Sequence, residues 1–168
     1  MLEVRKELKR FAKAVEKKAK RKAPKGDGKL KASIQHELEV HKNSFSLSFY
    51  MVDYGTYIDE GVRGAGGVRK TTSKYNKSNN KGKMWKIKAK DSRFAFSNKQ
   101  PPAKALKKWS HSKGLNEFAV AKAVFHQGIE GTHFFSDAFE SEFVKLADEV
   151  VEAYGLDIDE FLEQTLNN

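Results

Sequence analysis

From residue 2 to residue 22 the apolar side chains fall at Leu8, Phe11, Ala12, Val15 and Ala19, the three-and-four spacing of one helix face, with lysine and arginine filling most other places. Ala23-Pro24 ends the pattern, because proline lacks an amide and its ring clashes with the preceding turn. Such a helix would be about 30 Å long. Its single apolar stripe marks it as amphipathic. The last third of the chain is helical as well. Residues 115–127 place Leu115, Phe118, Ala119, Ala121, Val124 and Phe125 on a broad apolar face, and Gly128 fits a left-handed cap. Residues 135–154 repeat the pattern with Phe135, Ala138, Phe139, Phe143, Leu146, Val150 and Val151. A separate short helix is expected over 155–168, starting at Asp157, whose carboxylate would accept from free amides while Glu160 reaches back.

Between these helical ends the period changes. Pro24, Gly26 and Gly28 break the chain before Leu30 and Ile34 resume apolar spacing in a short helical or extended piece. Leu38 and Val40 alternate in QHELEVH, Lys42-Asn43-Ser44 makes a turn, and Phe45, Leu47 and Phe49 alternate in FSLSFYMV, which together predict a hairpin with one buried face. From Gly61 to Gln100 periodicity is lost. TTSKYNKSNNKGK reads as an exposed loop, MWKIKAK as an edge strand guarded by lysines, and FAFSNKQ as its pairing partner. Pro101-Pro102 then opens a short helix in PAKALKKW. The spacing thus predicts helices at both ends of the chain, with a hairpin and further extended pieces between them. The chain forms one domain over residues 1–168, with 62–100 as a loop or arm insertion.

Charge is distributed unevenly. Residues 1–110 carry 29 Lys and Arg against 10 Asp and Glu, a balance of +19, whereas residues 111–168 carry 3 against 12, a balance of −9. A basic body with an acidic end suits a polyanion such as nucleic acid, and it equally suits assembly with neighbours of opposite sign. Cysteine is absent, which excludes disulfide staples and thiolate metal sites. Apolar runs stay far below the roughly 18–20 residues that span a bilayer, and MLEVRKELKR lacks a signal-peptide core, so a soluble, unsecreted protein without membrane contact is expected.

Motifs of catalysis fail on detail. Gly64-Ala65-Gly66-Gly67-Val68-Arg69-Lys70-Thr71 has arginine where a phosphate-binding loop needs glycine before its Lys-Thr pair, and the dinucleotide fingerprint fails at the same Arg69. Gly61-Val62-Arg63-Gly64 matches a GXXG clamp but lacks the flanking helices. His36, His41, His111, His126 and His133 include no i,i+4 pair. Asp59 and Glu60 are adjacent and have no candidate nucleophile with an oriented base beside them. No enzyme, cofactor or metal site is expected.

Three segments in order resemble the tail-completion, or neck, proteins of long-tailed bacteriophages. Ala23-Pro24, Gly28, Leu30, Ser33 and Ile34 are similar to that family's A-P-x-x-T-G-x-L-x-x-S-I signature. Tyr54, Tyr57, Asp59, Glu60 and Gly61 are similar to its tyrosine-acid-glycine segment, and Thr132, Phe134, Phe135 and Ala138 to its entry into the C-terminal helix. Asp27 replaces the usual threonine, His133 stands at a frequent proline, and Asp137 at another. The resemblance implies the fold class α+β, an antiparallel sheet packed against long N-terminal and C-terminal helices, in a structural virion protein that forms a six-fold ring at the head–tail junction, after assembly in the host cytoplasm. Its partners would be other copies of itself, the portal-side adaptor, and the tail tube or terminator.

Within that expectation Tyr54 to Gly67 reads as an exposed protein-docking loop carrying Tyr57, Asp59, Glu60, Gly61, Arg63 and Gly64. Tyrosine and arginine offer contact area and planar hydrogen bonding, while glycines let the loop conform to a partner. Lysines of the first helix and Lys83, Lys86, Lys88 and Lys90 would make weak, sequence-independent contact with packaged duplex DNA. The alternative from another class is a monomeric, basic nucleic-acid-binding protein without catalytic activity.

Overall fold

The first helix, α1 (Leu2–Lys22), forms as its spacing dictates and buries Val4, Phe11, Ala12, Val15 and Ala19. The computed structural model describes residues 2–26, 28–41, 44–67 and 84–166. Over these the fold is α+β. A short helix α2 (Lys29–Ser33) follows, then β1 (Gln35–Val40), β2 (Phe45–Tyr50), α3 (Tyr54–Glu60), β3 (Gly61–Arg63), α4 (Ala103–Ser112), α5 (Glu117–Gln127), β4 (Gly128–Glu130) and α6 (Ser136–Leu166). The chain divides into two compact units, one of residues 1–55 with 133–168 and one of residues 56–132.

In the first unit α1 and α6 run antiparallel. Lys22 pairs with Asp137 at one end (2.9 Å), Lys18 with Glu142 and Arg10 with Glu149 along the middle, and the Asp157 carboxylate meets the start of α1. The Lys18 hydrogen bond holds the Glu142 carboxyl below its ordinary range against the opposing effect of burial. Part of the basic-to-acidic asymmetry is therefore neutralised inside this helix pair. The expected hairpin forms, and its register sets His36 opposite Phe49, Leu38 opposite Leu47 and Val40 opposite Phe45. Phe49 packs edge-on to Phe135 (centroids 5.4 Å apart) and Phe139 (6.1 Å), and Phe11 packs edge-on to Phe139 (5.6 Å). Ile34 and Phe134 are fully buried. His133 sits at φ 49°, a left-handed value that proline's ring forbids, which explains why a proline is not tolerated at this place.

Two expectations about the C-terminal third are corrected. No separate helix begins at Asp157: α6 continues unbroken through Gly155, and the Asp157 carboxylate serves α1 instead of its own helix. Gly128 has φ 87° but an extended ψ, so it carries the chain from α5 directly into β4 and does not form a left-handed cap. The start of α5 has a cap the sequence reading lacked: the Asn116 side chain accepts from the N–H groups of Phe118 (2.9 Å) and Ala119 (3.2 Å).

The second unit is organised about a ladder of three paired residues, Gly61 with Glu130, Val62 with Ile129 and Arg63 with Gly128. Residues 84–96 pack onto this ladder and do not form a free arm. The Arg63 N–H donates to the Phe94 carbonyl (2.8 Å) and the Phe96 N–H donates back to Arg63 (2.9 Å), so Phe94 and Phe96 pair with β3 and not with residues 84–90. The Trp85 N–H reaches the Gly67 carbonyl (3.0 Å) and the Lys88 N–H the Gln127 carbonyl (2.7 Å). The expected edge strand over MWKIKAK does not form: residues 85–88 have no strand assignment, Ala89 turns to φ 46° and Lys90 lies in a turn, although Trp85, Ile87 and Ala89 are half-buried between exposed lysines. The expected loop over residues 71–83 and the turn residues Lys42 and Asn43 lie outside the described residues, as does Asp27.

Candidate protein-docking site

Tyr54 to Gly67 is not a loop. Its first half is α3 and its second half is β3 followed by an irregular piece in which Gly66 and Gly67 take φ 69° and 96°, and Gly61 and Gly64 serve close approach between backbones. A Cβ on Gly61 would lie 2.5 Å from the Ile129 carbonyl oxygen, and one on Gly64 2.3 Å from the His126 oxygen. Gly61 also holds φ 76°. Glycine is required at these places because any side chain would push β3 off β4. Asp59 is 5% exposed, and its own backbone carbonyl is approached by Gly131, where a Cβ would lie 2.5 Å from the oxygen. The Thr132 N–H and hydroxyl both donate to the Ile58 carbonyl (2.9 and 3.0 Å). Asp59, Gly61 and Gly64 thus belong to the joint of this unit and are not available to a partner.

What remains on the surface is a smaller cluster. Tyr57 is 48% exposed and its ring lies 4.2 Å from that of Phe94. The Arg93 guanidinium sits over the Phe94 ring, 4.9 Å from its centroid, and bonds Glu60 at 2.8 Å. Ser92 locks this turn by donating to the Gly61 carbonyl (2.8 Å) and accepting from the Phe94 N–H (3.1 Å). Tyr57, Phe94, Arg93 and Glu60 therefore form a preorganised aromatic and ionic patch, with the Arg63 side chain exposed nearby in sequence on β3. Rigid tyrosine and arginine surfaces of this kind are the side chains that concentrate binding energy in protein interfaces. Sequence reasoning found Tyr57, Glu60 and Arg63 but missed Arg93 and Phe94. The alternation from Trp85 to Phe96 was the signal that this segment is packed.

Two basic regions accompany the patch. Lys86, Lys88 and Lys90 are exposed and alternate with half-buried Trp85, Ile87 and Ala89, and the Trp85 ring stacks on His126 (5.3 Å, 2° between planes). Lys83 lies outside the described residues. In the first unit Lys13, Lys17, Lys20, Arg21 and Lys31 line an open groove of about 640 Å³ around Glu16 and His36. The Lys20 hydrogen bond lowers the Glu16 carboxyl from its ordinary range against burial, with His36 assisting, so the groove holds one carboxylate among five cations. Such a surface attracts polyanions through their phosphates and reads no bases.

Among the described residues no group of three or more histidines and carboxylates could hold a metal, and no helix is long and apolar enough to cross a membrane. No description of a known protein family, no curated protein and no solved structure matches this chain.

Proposed function

We propose that this chain is a non-enzymatic virion protein that assembles as a ring of six copies at the neck or tail of a long-tailed bacteriophage, joining the head-side connector to the tail tube. The observation that carries the proposal is the rigid exposed patch of Tyr57, Phe94, Arg93 and Glu60, built on a joint where glycines press two backbones together. A docking surface preorganised in this way loses little entropy on binding. The resemblance of three ordered segments supplies the identity of the assembly, and an α+β architecture with long terminal helices agrees with what that resemblance implies.

Velocity sedimentation with negative-stain electron microscopy of the purified chain tests the reading. Closed rings, alone or on isolated tail tubes, are expected. A strict monomer that does not bind tails would overturn it. The groove of Lys13, Lys17, Lys20, Arg21 and Lys31 favours a second reading, a monomeric nucleic-acid-binding protein. That reading requires tight duplex binding at physiological salt, which a passage for moving DNA does not provide.

A further inference from the structure

Helix α6 carries two apolar faces, and α1 covers only one of them. Ala138, Ala153 and Asp157 are buried on the covered side, where Phe139 meets Phe11. A second stripe runs along Val144, Val151, Tyr154, Ile158 and Phe161 at spacings that alternate around a seven-residue repeat, with Ala147 completing it. Val144 is 77% exposed, Val151 73% and Phe161 66%. This is the spacing by which one helix seats against another, with β-branched residues at every first repeat position. Beside the stripe Asp148, Glu152, Asp159 and Glu163 form a row on a neighbouring line of the helix, all exposed and none in an ion pair among the described residues. A soluble surface this apolar marks a contact site. Its acidic border requires an occupant that is apolar at the centre and basic at the rim.

The same chain presents that surface. The α4–α5 hairpin exposes Trp109, Leu115 and Phe118 together with Lys104, Lys108, Lys113 and Lys122. Leu115, Phe118, Ala119 and Lys122 follow three-and-four spacing, so α5 shows an apolar strip that ends in a cation. Pairing α6 with a second α6 would instead bring two uncompensated acidic rows together. We infer that the outer face of α6 docks onto the α4–α5 hairpin of a second copy of this chain. Because the two surfaces differ, each copy has one of each left to offer, and the contact propagates into a closed ring or an open filament. The inference rests on the self-assembly proposed above and names the surfaces that make it.

The absence of cysteine makes the test direct. Ile158→Cys and Phe118→Cys proteins, mixed and treated with a short bismaleimide, should give a cross-linked dimer that neither protein gives alone. A product from Ile158→Cys alone would overturn the inference in favour of α6 self-pairing. So would no product from a mixture that sedimentation shows to be associated, or a chain that stays monomeric at every concentration reached. Charge reversal supplies a second readout. Asp159→Lys with Glu163→Lys, or Lys108→Glu with Lys122→Glu, should each weaken self-association about tenfold, and mixing the two variants should restore it, because opposite charges then face each other again. Unchanged association in both variants would also overturn the contact. Closed rings without the cross-link would reject this interface and leave the ring, whereas open filaments with the cross-link would support the interface and reject the neck ring.

Discussion

The carboxylate of Asp157 accepts hydrogen bonds from the backbone N–H groups of Glu3 (3.1 Å) and Val4 (3.2 Å), joining the start of α1 to a residue 153 positions beyond Val4. The first turn of any helix leaves amides without intrahelical partners, and here another helix supplies the acceptor. Burial alone would raise the Asp157 carboxyl, but the positive charge at the start of α1 and the two amide bonds outweigh it and bring it down to about 2.

Asp157→Ala should therefore destabilise the first unit by about 1–2 kcal/mol, the usual value of a lost helix cap. The sign of the pH effect follows from the lowered value. The unfolded chain binds this proton more readily, so the stabilisation is complete above the ordinary carboxylate range and is lost as pH falls from about 4 toward 2. Urea unfolding of both proteins at pH 7 and pH 2.5 checks this. The difference between them should shrink at the lower pH.

Gly128 holds φ 87°, and a Cβ there would meet the Val62 carbonyl oxygen at 2.3 Å. Gly128→Ala should cost the second unit on the order of 2–4 kcal/mol, from left-handed backbone strain together with displacement of β3. Gly26→Ala, with nothing within 4 Å of its added Cβ, is the control and should leave the unfolding midpoint nearly unchanged.

Other positions show where the sequence was legible. The hairpin could be read because Leu38 and Val40 alternate before the turn and Phe45, Leu47 and Phe49 after it, and α1 because its stripe ends at a proline. Gly61 and Gly64 were read as glycines that let a docking loop conform to its partner, since composition does not distinguish a glycine that moves from one that lets two backbones touch. Asp157 was misread for a related reason. Its local pattern fits a cap, but its amides belong to a helix distant in the chain. Of the candidate site, Tyr57, Glu60 and Arg63 carried a signal in their residue types, whereas Arg93 and Phe94 acquire meaning only when the chain folds back beside β3.

Tyr57→Ala removes one ring of the Tyr57–Phe94 pair, whose contribution to stability is about 0.5–1.5 kcal/mol. The circular dichroism spectrum should be unchanged. Binding to isolated phage tails, measured by co-sedimentation, should fall about tenfold or more, as for a central tyrosine in an interface. Equal binding would remove the patch from the docking surface.

Exposed Lys86, Lys88 and Lys90 predict a shallow salt dependence for DNA. Each phosphate contact contributes roughly −0.9 to the slope of log affinity against log salt, so a chain making two or three contacts should lose most of its weak binding by physiological ionic strength. Fluorescence anisotropy with duplexes of different sequence should show no preference among them. Replacing all three lysines by glutamine should flatten the slope.

Immunogold electron microscopy of the particles released by cells that carry this gene tests the central claim most directly. An antibody to the chain should place gold at the junction of head and tail on intact particles. Particles without label, with the chain recovered only as a free monomer bound to nucleic acid, would contradict the account.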